Sequence, residues 1–358
     1  MRYMDRALEL AENAIRNVSP NPPVGALIVS NGRVVGEGWT QPPGKNHAEI
    51  VALNQAKQLA KDSILYITLE PCCFYGRTPP CVEAIVEAGV KEVQVSILDP
   101  NSKVNGNGIA YLKNAGINVL LGEQSDIANK LIQGYKKYIM KGMPYITVKY
   151  AMSLDGKIAS KNKDSKWISN EESRLYVQKM RNSTDAIMVG GNTVRQDNPS
   201  LTVRDNAGKP LSDQPLRVIV DGDGIDSEAN VMNQPGDVVI AVSSTEIIDD
   251  LEKIGAKVEF VPNSNGKVHL ISLMKTLASK YDITNILVEG GGKLVGALFD
   301  LGLVDRIAVF VSPIIIGGEQ AITGVEGKGV DWIKDAFHLN DIEMIKLGKD
   351  FLITGSIR

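Results

Sequence analysis

His47-Ala48-Glu49, then the apolar run Ile64-Leu65-Tyr66-Ile67-Thr68-Leu69, then Glu70-Pro71-Cys72 and Pro80-Cys81, is the stretch from which the fold of this chain is read. One His and two Cys can fill three corners of a Zn²⁺ tetrahedron and leave the fourth for water, the arrangement of a catalytic rather than a structural site. Glu49, two residues beyond the His, is poorly placed to share the metal and well placed to handle a proton of the bound water. The pattern predicts an amphipathic helix opening at His47 and running to about Ala60, a strand over 64–69, Cys72 at a strand-to-helix turn, and a helix from Pro79-Pro80-Cys81 to about Ala88. Ligands at helix starts sit on fixed backbone, where the helix dipole favours anionic groups. The competing readings are a structural zinc knuckle or buried thiols. Adjacent Cys side chains seldom reach one small ion together, so Cys73 is read as packing.

Working outward, a chain of 358 residues exceeds one ordinary domain and predicts two. A net charge of −3 gives no general reason to expect a nucleic-acid partner, whose phosphates call for a basic face. No apolar run approaches a membrane span, and the N-terminus lacks the apolar core of a signal peptide. The three Cys fall within ten positions, which argues for metal or catalysis in a reducing compartment rather than a disulfide framework. A cytoplasmic protein is expected, with no nucleic-acid or membrane partner.

Apolar residues at 4, 7, 8, 11, 14 and 15 predict a helix over Tyr3–Asn17, ended by Pro20 and Pro22. Val24–Ser30 and Arg33–Glu37 read as strands joined by Asn31-Gly32, a strong hairpin signal. Further strands are expected at 91–98 and 117–121, with helices near 108–114 and over 125–140, giving an α/β/α layered unit that ends near Lys141-Gly142-Met143-Pro144. Beyond it, strands at 145–152, 185–190, 216–220, 237–242, 256–261, 285–289, 305–316 and 350–357 alternate with helices at about 171–182, 246–253, 269–280 and 293–301. That alternation predicts a second α/β domain on a largely parallel sheet. Two of its strands run into glycine, at Gly190-Gly191 and Gly290-Gly291-Gly292. These are as readily plain turns as phosphate cradles, and neither is a Gly-x-Gly-x-x-Gly fingerprint. Lys149 interrupts an apolar strand, and a lysine is rarely buried without a partner, which favours a role near substrate or cofactor.

His-x-Glu followed by Pro-Cys and a second Cys is the signature of zinc-dependent base deaminases. The spacing departs from Pro-Cys-x-x-Cys, because eight residues, Cys73–Pro80, separate the thiols. That insertion, with its Gly76-Arg77-Thr78-Pro79-Pro80-Cys81, and Ser19-Pro20-Asn21-Pro22-Pro23-Val24-Gly25 resemble the deaminase half of the bifunctional riboflavin-biosynthesis deaminase/reductase family. Lys149–Ile158, Ser165–Ser169, Asp197–Arg204 and Val288–Gly292 are similar to the reductase half, which looks like dihydrofolate reductase in fold. The resemblance covers nearly the whole chain in the same domain order.

The resemblance implies a cytidine-deaminase-like α/β/α domain over 1–143 and a dihydrofolate-reductase-like α/β domain over 144–358. It implies one Zn²⁺ per chain on His47, Cys72 and Cys81, and Glu49 as proton carrier, with Asn21 and Arg77 at the substrate. In the second half NADPH contacts fall on Ala151, Trp167, Thr193, Asp197, Gly222, Gly291, Gly292, Lys293, Leu294, Val295, Gly296 and Ala297. Contacts to a phosphoribosyl substrate fall on Ser165, Arg181, Leu201, Arg204 and Glu289, the two arginines as forked donors for a phosphate. Lys149 is assigned a catalytic part, and a homo-oligomer is expected. The implied reaction is hydrolytic deamination of 2,5-diamino-6-(5-phosphoribosylamino)pyrimidin-4(3H)-one, then NADPH reduction of its ribosyl side chain to give 5-amino-6-(5-phosphoribitylamino)uracil. One departure stands out: Cys73-Phe74 occupies the place where the family usually has a small residue and a His. Phe74 cannot make that histidine's hydrogen bond, and the expectation is a working deaminase with altered binding. Two rival readings remain: a nucleoside or base deaminase with an unrelated appended domain, and a nucleic-acid-binding or editing protein that flips a base into the zinc pocket.

Overall fold

The computed structural model describes residues 2–205, 207–220 and 225–357. The chain divides into two compact units, Met1–Pro144 and Tyr145–Arg358. The first contains α1 (Tyr3–Glu12), β1 (Gly25–Ser30), β2 (Arg33–Trp39), α2 (Ala48–Ala56), β3 (Ile64–Leu69), α3 (Cys81–Glu87), β4 (Glu92–Ile97), α4 (Asn107–Asn114), β5 (Asn118–Leu121), α5 (Ser125–Leu131) and α6 (Gln133–Lys141). Its sheet runs β2-β1-β3-β4-β5. β1 is antiparallel to both neighbours, while β3, β4 and β5 are parallel. The hairpin turn has Asn31 at φ 50° and Gly32 at φ 75°, the pair of positive φ angles that a two-residue turn of this hand requires.

Small residues set the position of the first helices. Ala48, Ala52 and Ala56 form one buried stripe of α2 at i, i+4 spacing. They lie over two glycines of β2: a Cβ on Gly38 would come within 2.3 Å of the Ala48 carbonyl oxygen, and one on Gly36 within 2.2 Å of that of Ala52. Helix and strand backbones therefore touch, which fixes the N-terminus of α2 against the sheet. The first helix stops at Glu12 rather than Asn17, and residues 13–17 continue as turns. The helix expected over 125–140 is two helices, broken at Ile132. The break allows Ala128 and Ile132 on one side, and Tyr135 on the other, all to be buried.

The second unit contains β6 (Tyr145–Ser153), β7 (Lys157–Ala159), α7 (Glu171–Asn182), β8 (Ala186–Gly190), α8 (Gly191–Asp197), β9 (Leu216–Val220), β10 (Val238–Val242), α9 (Ile248–Lys253), β11 (Lys257–Phe260), α10 (Leu270–Tyr281), β12 (Asn285–Val288), α11 (Gly292–Asp300), β13 (Arg306–Ser312), β14 (Ile322–Thr323), β15 (Leu339–Leu347) and β16 (Asp350–Ile357). Its nine-stranded sheet has the order β11-β10-β9-β8-β12-β6-β13-β16-β15. Pairing is parallel from β11 to β13 and antiparallel at β16 and β15, so the sheet is largely parallel. The strand expected over 305–316 ends at Ser312. β15 leaves no strand pattern in the sequence, because its side chains lie at an edge, partly or fully exposed, and show no alternation of burial. β8 and β12 are neighbours, so both glycine turns lie side by side at the carboxyl edge of the sheet, where open α/β sheets bind ligands.

Candidate functional site

His47 is the N-cap residue of α2, Cys72 follows β3, and Cys81 is the first residue of α3. The three elements bring one His47 ring nitrogen and the two Sγ atoms within 4.8 Å of one another. His47 Nδ1 lies 3.6 Å from Cys72 Sγ and 3.3 Å from Cys81 Sγ. Zn²⁺ bonded at about 2.3 Å to sulfur and about 2.0–2.1 Å to nitrogen has tetrahedral N···S edges of about 3.6 Å. The donor set and its spacing therefore fit zinc, on Nδ1 rather than Nε2.

Glu49, in the first turn of α2, is only 4% exposed. Burial pushes its carboxyl up to about 7, with the His47 charge opposing and the Cys72 charge adding to the rise. Of the two thiols, Cys72 is drawn towards the thiolate, chiefly by its hydrogen bond with Cys81. The same bond and burial push Cys81 up. The Cys81 backbone N–H also donates to Cys72 Sγ at 3.3 Å. A metal bound here would displace the proton that the Cys81 thiol keeps.

Groups that the sequence reading missed support this centre. Buried Glu70 accepts the backbone N–H of Asp99, Gly106 and Ile109, tying the start of α4 and the segment before it to the residues that lead into Cys72. Tyr135 donates to Asp99 at 3.0 Å, and burial raises the Asp99 carboxyl to about 6. Thr78 Oγ1 lies 3.3 Å from His47 Nε2. Asn21 is in the turn after Pro20, its N–H on the Val18 carbonyl, and Arg77 is exposed in the segment between the cysteines. Cys73 packs against the core of this unit and its thiol reaches the Lys103 carbonyl at 3.6 Å, away from the ligand cluster. The Lys103 ammonium stands 5.6 Å from the centroid of the Phe74 ring.

The second unit holds a cleft of about 1380 Å³ at the carboxyl edge of its sheet. That volume exceeds the ~300–1,000 Å³ of a site for one small molecule. Ala151, Trp167, Thr193 and Asp197 line it, with Gly291, Gly292, Lys293, Leu294 and Ala297 from the start of α11. Gly290 and Gly291 have φ 113° and 85°, and a Cβ on Gly291 would meet Thr193 Oγ1 at 3.0 Å, so the two glycine turns touch. Val295 and Gly296 do not line the cleft. Val295 is fully buried in the core, and a Cβ on Gly296 would meet the Glu326 carbonyl oxygen at 2.0 Å. A helix cannot present every residue of a seven-residue run to one side, and these two face the other way. Gly222 lies outside the described residues.

Lys149, Ser165, Arg181, Leu201, Arg204 and Glu289 also line the cleft. Ser165 donates to Asp197 at 3.3 Å. Arg204 donates through Nε to Thr202 Oγ1 and through Nη1 to the Gly208 carbonyl. Glu289 is a hub. Its two oxygens accept from Arg181 Nε at 2.5 Å and Nη2 at 3.0 Å, and Lys149 Nζ is 3.4 Å away. Burial pushes Glu289 up, but the charges of Arg181 and then Lys149 overcome it, and the carboxyl settles at about 2. Burial draws Lys149 below the usual lysine value. The fork of Arg181 thus faces Glu289, an arrangement the sequence reading did not foresee.

Residues 1–97 match the cytidine and deoxycytidylate deaminase zinc-binding region, and residues 144–353 match the RibD C-terminal domain. The riboflavin biosynthesis protein RibD of Aquifex aeolicus is 38% identical over 98% of this chain and 96% of its own. That of Bacillus amyloliquefaciens is 39% identical over 98% and 95%. Among solved structures, form 1 of Acinetobacter baumannii RibD superimposes with a TM-score of 0.88 at 34% identity, covering 99% of this chain and 98% of that one. A diaminohydroxyphosphoribosylaminopyrimidine deaminase/5-amino-6-(5-phosphoribosylamino)uracil reductase from Thermotoga maritima gives 0.85 at 33% identity, with the same coverage. With a zinc-binding deaminase region ahead of a reductase domain, and near-full-length identity of this order, the chain belongs to the RibD family of riboflavin-biosynthesis deaminase/reductases.

Proposed function

We propose that residues 1–143 deaminate 2,5-diamino-6-(5-phosphoribosylamino)pyrimidin-4(3H)-one and that residues 144–358 reduce the product with NADPH to 5-amino-6-(5-phosphoribitylamino)uracil. The observation that carries the reading is the meeting of His47, Cys72 and Cys81 at tetrahedral spacing beside buried Glu49. These three side chains hold the zinc, which when bound supplies a Lewis acid that makes water nucleophilic near neutral pH. Glu49 would relay the two protons of that water in turn, the first to the ring nitrogen and the second to the departing ammonia, a task suited to a carboxyl near 7. Asn21 and Arg77 meet the substrate. One amine is exchanged for one oxygen, and water is the only co-reactant.

In the second unit NADPH, when bound, supplies a hydride. The glycine turns of β8–α8 and β12–α11 offer backbone N–H groups to its phosphates, and Ala151, Trp167 and Asp197 border it. Ser165, Leu201 and Arg204 hold the ribose phosphate, while Arg181 positions Glu289. Reduction breaks the C1′–O4′ bond of ribose and forms C1′–H and O4′–H. Lys149, whose pKa burial lowers, is the proton source we assign to O4′. The test is an anaerobic assay with the diaminopyrimidine phosphate, zinc and NADPH, following ammonia and NADPH absorbance separately. Ammonia release that precedes and gates NADPH oxidation is expected. NADPH oxidation without ammonia, or neither signal, overturns the reading.

A further inference from the structure

We propose that Thr78 is a positioning residue for His47, and that the eight-residue segment between the two cysteines serves in part to deliver its hydroxyl. The inference rests on the reading of His47, Cys72 and Cys81 as a zinc site. Both thiols face Nδ1 of His47, at 3.6 and 3.3 Å, which leaves Nε2 as the outer nitrogen. An imidazole that gives its Nδ1 lone pair to a metal carries its proton on Nε2, and whatever accepts that proton sets both tautomer and ring orientation. Thr78 Oγ1, 3.3 Å from Nε2, is that acceptor. A hydroxyl can accept there while its own hydrogen rotates to another partner.

The segment is built to hold Thr78 in place. The Gly76 N–H bonds to the Thr78 carbonyl at 3.1 Å, closing a tight turn immediately before it. Tyr75 donates to Glu83 Oε2 at 3.1 Å, anchoring the other limb to the first turn of α3. On the far side Cys81 begins that helix and its N–H bonds to Cys72. A two-residue spacer between the cysteines has no room for such a turn. Arg77, which the function above places at the substrate, is the adjacent residue, so one segment would both meet substrate and orient a metal ligand.

The experiment uses full-length protein and zinc alone, with affinity read by chelator competition and the melting temperature of the metal-free protein read alongside. Thr78→Val, nearly isosteric but without the hydroxyl, is expected to weaken zinc binding by about 10- to 100-fold, the scale for losing such an outer partner. Thr78→Ser, which keeps the hydroxyl, is expected to stay within about threefold of wild type on the same scale. Neither should change the metal-free melting temperature. Thr78→Val binding zinc as wild type does, or Thr78→Ser losing as much as Thr78→Val, overturns the proposal. A wild-type chain that binds no zinc removes the zinc-site reading itself, which keeps the two failures distinct.

Discussion

Glu49 and Glu289 are both buried carboxyls at candidate sites, and their surroundings drive them in opposite directions. Glu49 sits beside two thiols and one imidazole, burial dominates, and its carboxyl rises to about 7. Glu289 pays the same desolvation but faces Arg181 and Lys149, and falls to about 2. The first is poised to take up and release a proton at neutral pH. The second is a fixed negative charge that holds two cations in place. One residue type is thus suited to carrying a proton in one unit and to anchoring cations in the other, according to the charges packed around it.

The largest effect expected is from Glu49→Gln. Its proton carrier gone, the deaminase should slow by about 10²- to 10⁴-fold while the protein keeps its zinc. Reduction of already deaminated substrate should proceed at the wild-type rate. Equal loss of both activities would erase the contrast between the sites.

Glu289→Gln should show the opposite pattern, a loss of stability first. Removing the anchor leaves Arg181 and Lys149 buried together without a counter-charge, a change that costs about 3–5 kcal/mol where a buried pair is broken. The expected observation is a lower urea midpoint for the second unit with unchanged zinc affinity in the first. An unmoved midpoint means that water already screens the cluster.

The same anchor makes a pH prediction. The carboxyl is near 2 when folded against an ordinary value of 4.5, so its contribution to stability is complete above 4.5 and is lost as pH falls through 4.5 towards 2. Unfolding midpoints of the second unit, measured from pH 6 down to about 2, should fall across that window in wild type and be flatter in Glu289→Gln. Parallel curves would assign the acid sensitivity to other carboxylates.

A smaller effect belongs to Phe74→His. The ring now lies under the Lys103 ammonium, and the exchange adds at most one neutral hydrogen bond to substrate, worth about 0.5–1.5 kcal/mol. Deaminase kcat/KM should change by about tenfold or less on that scale, with reductase constants unmoved. A wild type that releases no ammonia beside an active Phe74→His would show that the aromatic ring closes the first site.

How legible each site was follows from how it is assembled. The candidate metal ligands stand within 35 positions on two helix starts and one strand end, and local pattern alone locates all three elements. The cleft draws on residues from Lys149 to Lys328. Its assignment in the sequence depended on resemblance, and helix geometry then divided the 291–297 run between cleft and core. The edge strand β15 went unseen because a strand without a buried face leaves no periodic trace.

Residue type and spacing by themselves determined the candidate metal donors and the glycine turns, because coordination chemistry and backbone sterics act over a few residues. They also determined the alternation of strand and helix in the second unit, where short, fully apolar strands alternate with helices that bury one face. Only the tertiary structure decided that Nδ1 of His47 faces the thiols while Thr78 meets Nε2, that Arg181 and Lys149 converge on Glu289 across about 110–140 positions, and that α2 lies backbone to backbone on Gly36 and Gly38. These are contacts between elements distant in sequence. Their free energy comes from desolvation and charge pairing, which depend on what surrounds a side chain and not on its neighbours along the chain.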